Sequence, residues 1–100
     1  MSTKVTLIID NPSDVDTLEA AVPSMLEAAA QIPKIVRIES GKVWPKEDGS
    51  PTPAHRTIDM YFETYDDASA AVASPEGGEF FGQLASAGGT FTGLFTDVER

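Results

Sequence analysis

Residues 58–89, IDMYFETYDDASAAVASPEGGEFFGQLASAGG, decide how the chain reads. Ile58, Met60 and Phe62 alternate with Asp59, Tyr61 and Glu63, the period of two of a strand. Thr64, with Asp67 three residues on, is a capping-box match that starts a helix carrying Ala68, Ala71 and Val72. Ser74-Pro75-Glu76 breaks that helix and starts another. Its serine is suited to the N-cap, and its proline falls in the first turn, where a backbone N–H has no partner to lose. Phe80, Phe81, Leu84 and Ala85 give the second piece a core side, and Gly88-Gly89 stops it.

Downstream, Thr90–Val98 reads as a last strand, with Phe91, Gly93 and Phe95 on one face and Leu94 on the other. Upstream, the strand begins at Arg56. The segment Gly41–His55 holds three prolines and two glycines, so it reads as a loop at the tip of a hairpin, with Val43-Trp44 at its start. Before it, Lys34–Ser40 reads as a strand with Val36 and Ile38 on one face and Ile35, Arg37 and Glu39 on the other. Val15, Leu18, Val22, Met25, Ala29 and Ile32 make one face of a long helix opened by Ser13 and closed by Pro33. Pro23 falls inside it and predicts a kink or a restart, because an interior proline loses a hydrogen bond at a cost of ~3 kcal/mol. Lys4–Asp10 supplies the first strand, and Asn11-Pro12 ends it. The order β-α-β-β-α-β predicts an α+β, ferredoxin-like domain over residues 1–100. Its four-stranded antiparallel sheet has the first and third strands at the centre and the helices on one side.

Such a sheet leaves its second face open. Thr6, Ile8 and Asp10, Thr57, Asp59 and Tyr61, and Ile35 and Arg37 fall on it, with either Leu94 or the Phe91/Phe95 pair from the last strand. A mixed apolar surface of this size predicts a homodimer with the two sheets packed face to face. Net charge narrows the partners. Sixteen acids against seven Lys and Arg leave −9, which disfavours nucleic acid and anionic membrane surfaces. With no cysteine there is no thiolate chemistry, and the early apolar run is too short for a leader or a membrane span. The expectation is a cytoplasmic protein without cofactor or metal.

The Asn11-Pro12 turn, Gln31-Ile32-Pro33, the strand 59–62, and above all Ala73-Ser74-Pro75-Glu76-Gly77 followed by Gly88-Gly89 give the chain a family likeness. It resembles the EthD-like proteins of the dimeric α/β-barrel superfamily. The resemblance implies a dimer whose sheets form a barrel and a small-molecule pocket between sheet and helices. Relatives in the superfamily include cofactor-free monooxygenases, isomerases and decarboxylases. One departure stands out: many members carry a histidine eight residues before the helix-ending proline, and here that position is Met25.

The chemical candidates are few. Asp59 sits mid-strand, where Asp is disfavoured; it is either a proton-transfer acid in a pocket, a salt-bridge partner for Arg37 or a contact at the dimer interface. Tyr61, on the same face, either donates to a substrate oxygen or packs with a wet tip. Arg37 suits a carboxylate or an enolate, or simply neutralises a neighbouring acid. His55, the sole histidine, is either a general base or an idle loop residue. Met25, Trp44 and Phe81 are the candidates to line a ligand pocket, although Met25 and Phe81 also fit a plain helical core. Three functions remain open: a cofactor-free enzyme acting on a small organic acid, lactone or aromatic ketone, a non-catalytic dimeric carrier of an apolar metabolite, and a regulatory ligand-binding module of ferredoxin-like type.

Overall fold

The computed structural model describes residues 2–100. Its elements run β1 (Ser2–Ile9), α1 (Val15–Ala30), β2 (Arg37–Lys42), β3 (Arg56–Phe62), α2 (Tyr65–Ala73), α3 (Pro75–Ser86) and β4 (Phe91–Val98). The strands form one sheet in the order β2-β3-β1-β4, every pair antiparallel. The ferredoxin-like α+β expectation is borne out, with β1 and β3 central.

Alternation sets the two faces. Val5, Leu7 and Ile9 of β1 and Ile58, Met60 and Phe62 of β3 are buried against the helices. Leu18, Met25, Phe80 and Leu84 close over them, each 0% exposed. Full burial of a side chain of this size contributes about 1.5–3 kcal/mol, so this face holds the fold together. Local chemistry sets the helix starts. Thr64 accepts from the Asp67 N–H, and Ser74 accepts from the Gly77 N–H with Pro75 beside it. Gly77 lies so close to the Ala71 carbonyl oxygen that a Cβ would collide with it. Gly88, at φ +80°, turns the chain out of α3.

Three expectations are corrected. Pro23 does not restart α1 as a second element; the helix runs unbroken from Val15 to Ala30, with Pro23 on its exposed side. Its cap is Asp14, whose carboxylate accepts from the Thr17 N–H, and not Ser13. The second strand starts at Arg37 and not Lys34. Lys34 adopts φ +64°, which turns the chain, so Ile35 packs on the core instead of joining the open face. Among the described residues no helix is long and apolar enough to cross a membrane.

Candidate functional site

The open face is a polar lattice set by strand register. Glu39, Asp59, Thr6 and Leu94 form one row across β2, β3, β1 and β4; Arg37, Tyr61, Lys4 and Thr96 form the next. Two carboxylates directly opposite each other repel. Each is answered by a donor: Thr6 Oγ1 donates to Asp59 at 2.5 Å, and the Tyr61 hydroxyl donates to Glu39 at 2.7 Å. Arg37 sits 4.2 Å from the Tyr61 ring centre and Lys4 5.9 Å from it, so two cations flank one aromatic ring. Arg37 also pairs with Glu39 at 3.7 Å, and not with Asp59. A hollow of about 240 Å³ borders Tyr61 and Arg37, with Ser2, Val36 and Val98 on its rim.

His55 lies on the other side of the sheet. Its Nε2 is 2.9 Å from Glu19 Oε2 on α1. Arg56 grips the same carboxylate, Nη2 to Oε1 at 3.0 Å and Nε to Oε2 at 3.3 Å, and donates to Ser40 Oγ at 2.7 Å. Lys42 approaches at 3.4 Å. The Arg56 and His55 hydrogen bonds hold the Glu19 carboxyl down from 4.5 to about 2, against partial burial, which acts upward. Sequence reasoning missed Glu19 and Arg56. The available signal was parity: Arg56 shares the core face with Ile58, Met60 and Phe62, and a buried guanidinium needs a carboxylate. The four acid–base candidates therefore divide. Asp59, Tyr61 and Arg37 come together, and His55 is separated from them by the sheet and held in a structural clasp.

The edge strand β4 is the least covered part of the helix face. Register with Ile9, Leu7 and Val5 turns Phe91, Gly93 and Phe95 towards the helices and Leu94 to the open face. Phe91 stacks on Phe81 of α3 with centroids 5.3 Å apart, and Phe95 meets Tyr65 of α2 at 5.5 Å. Phe91 remains 41% exposed, Phe95 42% and Tyr65 56%. Gly93 separates the two aromatic pairs, and Leu7 floors the gap beneath it. Phe91 and Phe95 are four residues apart, so their Cα atoms stand roughly 13 Å from each other. The result is an aromatic crevice between sheet and helices, open along the β4 edge.

The three expected ligand-lining residues have different surroundings. Phe81 borders this crevice. Met25 is 0% exposed in the core, so nothing reaches it in this packing. Trp44 is 85% exposed on the β2–β3 loop, away from any concavity described here. A further groove of about 530 Å³ lies between α1 and α3, lined by small residues such as Ala21, Ser24 and Gly82. It is broad and faces outward.

No family model matches the chain. It is 35% identical over 98 residues to an uncharacterised 11.0 kDa protein from the thcB–thcC intergenic region of Rhodococcus erythropolis, covering 96% of this chain and 94% of that protein. An EthD family protein from Bacillus halodurans superposes with a TM-score of 0.84 at 14% identity, over 98% of this chain and 99% of its own. A dimeric protein of unknown function and ferredoxin-like fold from Bacteroides fragilis gives 0.73 at 18% identity, over 97% and 96%. SnoaB, a cofactor-independent oxygenase from Streptomyces nogalater, gives 0.64 at 15% identity, over 99% and 93%. At these identities the likeness to solved structures is one of fold. At that level the EthD-like resemblance read from residues 73–77 and 88–89 is borne out.

Proposed function

The chain belongs to the same family as the 11.0 kDa Rhodococcus erythropolis protein, and from that premise we propose that it is a cytoplasmic, homodimeric small-molecule-binding protein of a catabolic pathway. Its ligand is a small, planar, largely apolar organic metabolite held between sheet and helices. The observation that carries this reading is the aromatic crevice over Gly93. Phe91 and Phe95 stand half exposed on one face of β4, each paired with a helix aromatic, and Gly93 is the one residue between them on that face. A flat molecule laid against the Phe91 and Phe95 rings covers apolar surface that is otherwise wet. The Bacteroides fragilis neighbour is a dimeric protein, which supports a homodimer here; the half-apolar open sheet face is the surface suited to the second copy.

Binding of N-phenyl-1-naphthylamine, a neutral fluorescent aromatic, tests the site. Fluorescence should rise and shift blue with the wild-type protein. Gly93→Leu should weaken binding at least ~10-fold, a loss of about 1.4 kcal/mol. A Cβ at Gly93 meets ordinary contacts with Leu7 and the Phe91 ring, so the backbone tolerates a side chain there, and the leucine covers the aromatic surface beside it. Gly82→Leu, which fills the outer α1–α3 groove instead, should leave binding unchanged. Equal binding by wild type and Gly93→Leu would remove the reading.

A cofactor-free proton-transfer reaction is the second reading, favoured by Tyr61 and Arg37 beside the 240 Å³ hollow, with Asp59 in the next row of the same face. There Asp59 accepts a proton, Tyr61 donates to a substrate oxygen and Arg37 balances the charge of an enolate. SnoaB, which shares the fold, is a cofactor-independent oxygenase, which supports cofactor-free chemistry on such a scaffold. The two readings use opposite faces of the sheet. Asp59→Asn should abolish turnover under the second and leave N-phenyl-1-naphthylamine binding intact under the first.

A further inference from the structure

The open sheet face carries charges in an order that suits it to one particular partner. We propose that it is a self-complementary docking surface in which the Arg37 row of one copy lies over the Glu39 row of a second copy. This rests on the homodimer reading and specifies what the two faces recognise in each other. A chain of net charge −9 repels its own copies. Within the strands of this face, however, Lys4 and Arg37 balance Glu39 and Asp59, and the further acids Asp10 and Glu63 stand just beyond the strand ends, so the centre of the face meets a second copy with less repulsion than the chain as a whole. The other residues inside the strands of this face are mainly threonines and a few apolar side chains, Ile8 and Leu94 among them. They are compatible with close approach and carry no charge.

The arrangement of the four charges does more than cancel. Acids share one cross-strand row and bases share the next, two residues along the strands. A two-fold axis running between the rows and parallel to them keeps each strand over its counterpart and exchanges the rows. Arg37 of one copy then faces Glu39 of the other, twice, and Tyr61 faces Asp59. Packed sheets lie ~10 Å apart, a gap that long Arg and Glu side chains bridge and short ones do not. A face bearing all acids, or acids and bases mixed within one row, would not self-pair in this way.

Charge reversal tests the inference without knowledge of any ligand. Arg37→Glu makes both rows of β2 acidic, and Glu39→Arg makes both basic. By sedimentation, the wild type should be a dimer, and each variant alone should dissociate at least ~100-fold more readily, because like charges then face each other. An equimolar mixture should form a heterodimer, since an all-acidic strand now faces an all-basic one. Circular dichroism of each variant checks that it is folded. Folded variants that stay dimeric alone, or that remain monomers when mixed, would overturn the row pairing while leaving a dimer in place. A monomeric wild type would remove the homodimer reading together with this one.

Discussion

Glu19→Gln probes the charged clasp that joins α1 to the base of the β2–β3 hairpin. The folded-state carboxyl is held at about 2 against 4.5, and at ~1.36 kcal/mol per pKa unit the clasp contributes at most about 3 kcal/mol. A quarter of the Glu19 side chain is still wet and Lys42 is 71% exposed, so screening reduces the expected loss to about 2 kcal/mol at pH 7. Losing the carboxylate also strips Arg56, whose side chain is only 10% exposed, of its counter-charge. The sign follows from the direction of the shift. A depressed carboxyl stabilises fully above the unfolded value and loses that contribution as pH falls towards the folded one. The gap between wild type and variant should thus be nearly constant from pH 7 to 5.5 and shrink to under half of its value by pH 3. Urea unfolding followed by far-ultraviolet circular dichroism, at one protein concentration, reads this gap; Trp44 is too exposed to report on the core. A gap below about 0.5 kcal/mol at pH 7, or one unchanged at pH 3, would refute the clasp.

Other substitutions test the packing. Pro23→Ala should stabilise α1 by about 1–3 kcal/mol, because the helix continues through the proline and a backbone hydrogen bond is restored; destabilisation in urea unfolding would show that the proline fits better than its chemistry suggests. Gly77→Ala should cost more than about 2 kcal/mol, since the new Cβ drives into the Ala71 carbonyl oxygen, and a neutral result would mean α2 and α3 shift freely. Met25→Ala should cost about 2–5 kcal/mol, as for any fully buried methionine, and a loss under 1 kcal/mol would place an empty space around it.

Legibility in the sequence followed the range of the interactions. The caps at Thr64 and Ser74 and the stop at Gly88 are set by residues within a turn of one another, so spacing alone located them. Strand alternation in β1 and β3 was equally local, and with it the faces occupied by Asp59 and Tyr61. The start of β2 was hidden because the positive φ of Lys34 leaves no mark on residue type. Pro23 misled because helix propensity is a weak prior when Val22 and Met25 on the same turns are buried. The Glu19 clasp and the aromatic crevice join residues 36 or more apart, or in different elements, and only the fold brings them together. His55, singled out for its chemistry, is held by a neighbour that sequence could not name.

The central claim is that a planar apolar molecule binds over Gly93. Amide chemical-shift mapping during titration with N-phenyl-1-naphthylamine measures it residue by residue. The account predicts shifts centred on Phe91–Phe95, with Tyr65 and Phe81 following. Shifts centred instead on Ser24 and Gly82 of the α1–α3 groove, or on Tyr61 and Arg37 of the open face, would contradict it.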